Sequence, residues 1–292
     1  MKGDEKLWGI LNEKLDLLRS MGRLPEALRV GVAAVELARR AFSPDAPELA
    51  LALAKLGQLY DQAGDKAAAK SPLVEAHQIL LSAEARNEHA IYRSAGRVAL
   101  LCDSLGETEE AIRYYEQAIA ASGQLSDLPY ADLGMMLNNV ALAYKRSGRQ
   151  AAAEPYYLHA LELYETHLGV DHPDVASVLN NLAVFYTSQQ RFVEAEVTHL
   201  RALAIREKIH QPAHSDIAQS KCNLGVVYHS SGNYSRASEL YQDSLEAWEA
   251  SAEKPPPDYE VVAANYADLL RSLGKTRQAS QLEHRATKRR RA

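Results

Sequence analysis

Apolar residues recur at helical spacing in segment after segment of this chain. In Val178-Leu179-Asn180-Asn181-Leu182-Ala183-Val184-Phe185-Tyr186 they mark one face of a helix that ends shortly before position 190. Other segments of the same type end at a glycine. Gly22, Gly64, Gly106, Gly148, Gly232 and Gly274 stand on a ladder with a step of 42, and Gln190 holds the remaining rung. Five residues after each rung is an alanine: Ala27, Ala69, Ala111, Ala153, Ala195, Ala237 and Ala279. Seven residues before it the side chain is small in six of seven cases (Gly57, Ala99, Ala141, Ala183, Gly225 and Ala267, with Leu15 the exception). Four residues before it, Tyr60, Tyr144, Tyr186 and Tyr228 alternate with Leu18, Cys102 and Leu270. Columns in phase over the whole length mean tandem repeats, here seven.

Each column has a physical reading. Glycine ends the first helix because it takes the left-handed conformation without strain. A second periodic stretch follows, so each unit is helix A, a tight turn and helix B. The small residue on A and the alanine on B predict close approach of the two backbones, with the tyrosine filling the adjacent space. Gln190 must make the same turn without glycine's freedom, at a cost of about 1 kcal/mol. Pro47, Pro173 and Pro257, each 25 residues after a rung, suit the first turn of the next helix A. Glu48, Asp132, Asp174, Asp216 and Asp258 then place negative charge where the helix dipole favours it.

The small–Tyr–Gly–Ala pattern resembles the tetratricopeptide repeat, whose usual period is 34. The 42-residue step, with Leu179-Asn180-Asn181-Leu182-Ala183 and Leu168-Gly169-Val170-Asp171-His172-Pro173-Asp174-Val175-Ala176, is similar to the kinesin-light-chain type of that family. His214-Ser215-Asp216-Ile217-Ala218 echoes the second motif one repeat later. The coiled-coil segment that would join a light chain to a motor has no counterpart here. The resemblance implies an all-α fold: a right-handed superhelix of seven helix-turn-helix repeats, one solenoid domain over residues 1–292, ending in a basic tail at 288–292. Such solenoids are protein-interaction scaffolds.

With each rung numbered 15, a helical wheel puts positions 4, 7, 8 and 11 of helix A on the packing side and 2, 6, 9 and 13 on the opposite, concave side. Position 6 reads Glu13, Lys55, Arg97, Asn139, Asn181, Asn223 and Asn265. Asparagine is a mediocre helix former, yet its amide both donates and accepts, as the backbone of an extended peptide requires. By resemblance to other tetratricopeptide superhelices, Asn139, Asn181, Asn223 and Asn265 are assigned that grip. The alternative is that these amides bond only to neighbouring helices and water. Leu100, Leu142, Val184 and Val226 at position 9 supply an apolar floor. Lys55, Arg93, Arg97 and Arg146 make the N-terminal half cationic, which suits an acidic group or a C-terminal carboxylate, or else is a solvated face with local partners. The two-carboxylate clamp known in this family is not reproduced, because Asn12, Asp16 and Lys55 stand where its other ligands belong.

Composition narrows the rest. With 33 Lys+Arg against 38 Asp+Glu, the net charge of −5 argues against nucleic acid. The tail Lys288-Arg289-Arg290-Arg291 reads as a solvated helix end. Two isolated cysteines, Cys102 and Cys222, fit a reducing compartment, and the charged N-terminus lacks the apolar run of a signal peptide. No apolar run reaches membrane length, so the expected location is cytoplasmic without membrane contact. His210 and His214 have metal-like spacing, but Pro212 interrupts them, and no metal site is expected. Nucleotide-binding and hydrolase motifs are absent and the repeats use the whole length. The expectation is therefore a non-enzymatic scaffold, with no cofactor and no small-molecule substrate, that binds an extended, acid-containing peptide as a monomer or weak homo-oligomer. The competing expectation is an assembly or regulatory element that acts by self-association or through its convex face.

Overall fold

The computed structural model describes residues 2–211, 214–250 and 257–291. It contains fourteen α-helices among these residues. Residues 1–153 and 154–292 form two compact units. The first holds α1 (Lys2–Ser20), α2 (Leu24–Ala41), α3 (Pro47–Gln62), α4 (Lys66–Ser82), α5 (Glu88–Ser104), α6 (Thr108–Ser122), α7 (Tyr130–Arg146) and the first turn of α8 (Gln150–Leu168). The second holds the remainder of α8, with α9 (Pro173–Ser188), α10 (Phe192–Ile209), α11 (Ser215–Ser230), α12 (Tyr234–Ala250), α13 (Pro257–Ser272) and α14 (Thr276–Arg291). Within each unit, helices A and B pair as antiparallel neighbours and each pair stacks on the next.

The ladder sets the helix ends. All six rung glycines have positive φ, between 70° and 84°. Gln190 has φ 59°, alone among the described non-glycine residues. Each turn closes with a backbone bond from the residue after the rung to the carbonyl five residues earlier, such as Asp65 N–H to Tyr60 O (2.9 Å) and Arg191 N–H to Tyr186 O (3.0 Å). This Schellman closure satisfies carbonyls that the helix end would leave orphaned. Around Gln190 the turn is reinforced. Arg191 stacks over the Tyr186 ring at 4.2 Å and donates twice to Glu154, at 2.7 and 3.0 Å. Prolines open α3, α9 and α13, and Glu48, Asp132, Asp174 and Asp216 lie in first turns as expected; the side chain of Asp258 is outside the described residues.

All seven alanines of the helix-B column are fully buried. A Cβ added to Gly57 would lie 2.5 Å from Leu73 Cγ and 3.2 Å from the Ala69 carbonyl, so the expected close crossing is present. The tyrosine column does more than fill space. Tyr186 donates to Glu154 (3.1 Å) and Tyr228 to Glu196 (2.6 Å), each reaching the helix B of the preceding repeat. Tyr144 makes the corresponding bond to Glu116.

His199 departs from this economy. It lies on α10, 1% exposed, where other repeats carry Tyr115, Tyr157 and Tyr241, and neither ring nitrogen has a hydrogen-bond partner among the described residues. Burial, with a smaller contribution from the Arg206 charge, holds its pKa down at about 4.

Two stability predictions follow from these features. Gln190→Gly should raise stability by about 1 kcal/mol, read as a higher urea midpoint with unchanged slope, because it removes the strained non-glycine φ. His199 stays neutral in the folded chain, whereas in the unfolded chain it protonates near pH 6.5. Its contribution is thus present above pH 6.5 and lost as pH falls toward 4, by about 2 kcal/mol between pH 7 and pH 5. Urea melts of His199→Phe should show a correspondingly smaller acid loss. His77, buried and shifted down mainly by desolvation, supplies acid sensitivity of the same sign that survives the substitution.

Candidate functional site

The packing side of the helical wheel is buried as expected in both units, while on the other side positions 2 and 13 are exposed and positions 6 and 9 are partly buried in α9. In α5, Ala95, Val98, Ala99 and Cys102 are buried, while Arg93, Arg97 and Leu100 are exposed. In α9, Leu179, Leu182, Ala183 and Tyr186 are buried, while Ser177 and Ser188 are exposed. Lys221 of α11 is an exception on the packing side: it reaches out to Asp243 at 3.2 Å.

In the first unit the four expected cations separate into two kinds. Lys55 is spent internally, donating to Asn12 (2.9 Å) and Asp16 (2.7 Å), and its side chain is 16% exposed. Asp16, which spoils the family's carboxylate clamp, is therefore neutralised within the fold. Arg146 pairs with Asp103. Arg93 and Arg97, one turn apart on α5, form no ion pair among the described residues. Partial desolvation by the surrounding cleft walls, and then the Arg93 charge, weaken the hold of the Arg97 guanidinium on its proton, and Asp61 offsets this only in part. Two clefts adjoin this pair. One, of about 380 Å³, has an apolar wall of Leu51, Ala54, Ala76 and Leu80, with Gln58 and His89 as polar neighbours. The other, of about 550 Å³, runs past Leu100, Ser104 and Met135 toward Asp61. Two under-compensated cations beside apolar walls can bind a carboxylate whose attached chain is partly apolar.

The asparagine column is half-buried rather than fully exposed. Asn139 lies in the first unit and accepts a long bond from Asn138 (3.4 Å). In the second unit Asn223 donates to Asn180 (2.8 Å), and Asn265 points its amide at the Cys222 sulfur (3.7 Å). Asn181 also has interactions within the fold. One rule covers three of these bonds. Position 6 reaches position 5 of the preceding repeat, 43 residues earlier, in Lys55–Asn12, Asn223–Asn180 and Asn265–Cys222. Sequence periodicity placed these residues on one face but could not supply this partner, which exists only once repeats are stacked.

Two other clusters bring potential metal ligands together. His210, His214 and Asp216 gather their ligand atoms within 4.8 Å. The two imidazoles, however, stack face to face at 3.6 Å and 7°, so no ion can lie in both ring planes, and His214 Nδ1 already accepts the Asp216 N–H as a helix cap. Cys102, Glu107 and Glu110 also converge, but Lys70 occupies the carboxylates at 2.8 and 2.6 Å. Burial, followed by Glu107, pushes the Cys102 thiol up to about 12, away from the thiolate a metal needs. Neither arrangement suits a metal ion. In the basic tail, Lys288 is exposed and Arg289 lies over the Tyr259 ring at 5.7 Å; the side chains of Arg290 and Arg291 are outside the described residues. No described helix is long and apolar enough to cross a membrane.

The chain matches the tetratricopeptide repeat family over residues 11–82, 90–166, 132–196 and 174–250. No curated protein sequence matches it. Among solved structures it is similar to BtubC (BKLC) from P. vanneervenii, at 26% identity over 87% of this chain and 94% of that one, with a TM-score of 0.62. A putative kinesin light chain from Podospora anserina, with nearly identical repeats, shares the fold at 20% identity, 68% and 93% coverage and a TM-score of 0.57. The apo form of RapI shares it at 17% identity over 97% of both chains, with a TM-score of 0.67. Through these phased repeats and the family match over most of its length, the chain belongs to the tetratricopeptide repeat family.

Proposed function

We propose that this chain of tetratricopeptide repeats is a protein-interaction scaffold that binds an extended, acid-containing peptide on the exposed helix-A faces, without chemistry of its own, in the cytoplasm. The observation that carries this reading is the Arg93–Arg97 pair, two adjacent guanidinium groups that form no ion pair among the described residues and are offset only in part by Asp61, beside a cleft with an apolar wall. A peptide carboxylate would gain charge-assisted hydrogen bonds there, each contributing about 1.5–3 kcal/mol. Lys55 and Arg146 are assigned a supporting role. Their charges add to the local field, but each must be drawn from its acidic partner before it can contact ligand.

In the second unit, Asn181, Asn223 and Asn265 are assigned to peptide main chain, as is Asn139 in the first. The bond from Asn223 to Asn180 occupies one amide hydrogen and orients the group, leaving its oxygen and second hydrogen for a ligand. The basic field of the first unit then selects for acid, while the amides would tolerate many side chains.

The test is a library of roughly ten-residue peptides, screened on the wild-type chain and on variants. Acidic peptides should be enriched, and Arg93→Ala with Arg97→Ala should weaken them by about 100-fold while leaving the melting temperature unchanged. Asn181→Ala with Asn223→Ala should weaken peptides held on the second unit by about 10-fold. Full binding by the arginine variant would refute the acidic-peptide reading. A lowered melting temperature with intact binding in the asparagine variant would assign that column to packing between repeats.

A further inference from the structure

Columns that are apolar in most repeats turn polar where the fifth repeat meets the sixth. The place of His199 is taken by Leu73, Tyr115, Tyr157 and Tyr241 in other repeats, and that of Arg206 by Ala38, Leu80, Tyr164 and Trp248. The helix-A column of Ser220 otherwise reads Ala52, Met136, Val178 and Val262, with Ser94 the other serine. His199, Arg206 and Ser220 are all buried, Arg206 to 7% exposure. The contact of α10 with α11 therefore carries three polar side chains at sites that other joints mostly fill with apolar ones, and in a stacked array each joint is held by its own nearest-neighbour contacts.

Arg206 donates to Ser220 Oγ (2.7 Å) and to the Asp216 carbonyl (2.9 Å), so a buried cation bridges α10 and α11. Asp216 offsets the burial of that charge only in part. His199 lies seven residues earlier on the same helix, with neither ring nitrogen bonded. Titratable groups on the neighbouring helices are engaged elsewhere. Asp174 of α9 lies beside His172 (3.5 Å), and Asp216 of α11 beside His210 and His214 (3.6 and 4.0 Å). Lys221 reaches Asp243 (3.2 Å), Cys222 meets the Asn265 amide (3.7 Å) and His229 meets the Tyr234 ring edge-on (5.9 Å). Tyr186 and Tyr228 donate to Glu154 and Glu196. On α10 itself, Glu194 pairs with Arg191, Arg201 with Glu165 and Lys208 with Asp171, while Glu207 is exposed. The charge that bears on His199 is Arg206, whose sign opposes protonation.

His77 provides the contrast. It is equally buried where the second repeat meets the third, but its Nδ1 meets Ser94 Oγ (2.8 Å) and its Nε2 meets Gln117 Oε1 (2.9 Å). Both partner oxygens can accept, so a protonated His77 keeps two hydrogen bonds. A protonated His199 has none and sits on the same helix as a second buried cation. Opening the contact to water is the direct way to relieve a buried charge of that kind.

We propose that the contact of α10 with α11 is an acid-sensitive hinge, at which protonation of His199 near the buried Arg206 opens one joint while the other joints between repeats stay closed. The bond from Asn223 to Asn180 (2.8 Å) crosses the same joint, so an open hinge divides the asparagine column. The inference stands apart from the peptide reading, because its test needs no ligand.

Hydrogen exchange of the full chain, resolved by segment and corrected for the intrinsic pH dependence of amide exchange, tests this. With His199 held near 4 in the closed joint and free to titrate near pH 6.5 in the open one, the open fraction should rise about 30-fold between pH 7.5 and pH 5. Exchange in α10 and α11 should quicken accordingly, and that in α4, α5 and α6 around His77 much less. His199→Phe, and separately His199→Tyr, which restores the residue of the neighbouring repeats, should remove the rise. His210→Gln combined with His214→Asn should retain it. Comparing segments within the wild-type chain keeps the test decisive if a variant fails to fold. An acid response spread evenly over all repeats would overturn the inference. So would a rise at α10 and α11 that persists in both His199 variants, or one that disappears in the His210 and His214 variant.

Discussion

The close crossing of helix A on helix B is the constraint on which the remainder of the structure depends. The backbones approach until the facing position of helix B admits nothing larger than alanine, seven times in succession. That approach fixes the angle at which each pair leaves the turn, and so which helix-A residues are covered and which face outward. A larger side chain there would force core atoms aside at a cost of about 1–3 kcal/mol and move neighbouring positions with it. The exposed positions of Arg93 and Arg97 and the half-buried setting of Asn223 follow from this one distance.

Much of this was legible in the sequence because the repeat supplies its own comparison. Seven instances of one column separate a packing demand from chance. The alanines, the turn glycines and the unusual Gln190 could therefore be read with a physical reason attached, and the structure gives each the burial or backbone angle expected. The helix-A face was legible for the same reason, since a wheel needs only a helix and a phase.

The site was less legible, and the reason is long-range partnership. Lys55 looks like a free cation by sequence, but a carboxylate 39 residues earlier neutralises it. Arg146 meets Asp103 in a similar way. Position 6 looks exposed on an isolated helix, yet stacking brings position 5 of the preceding repeat within hydrogen-bonding distance. The tyrosine column was read as volume, and its hydroxyl bonds to Glu154 and Glu196 were missed because those acids belong to no conspicuous column. Pairing across repeats is decided by rise and rotation per repeat, and one chain's periodicity does not encode these in readable form.

The spacing of the bonds between repeats has a consequence for how the chain acquires its structure. They join residues 43 positions apart along the position-6 rule, and 32 apart for Tyr186–Glu154 and Tyr228–Glu196. The loop that must close to form each contact is thus about one repeat long wherever in the chain it occurs. Closure entropy grows only with the logarithm of loop length, so every addition of a repeat meets nearly the same entropic barrier as the one before. Folding can begin at any well-packed pair and extend in either direction, with speed governed by local topology rather than total length. A chain emerging from synthesis could consolidate each repeat soon after the next is exposed, without waiting for its far end.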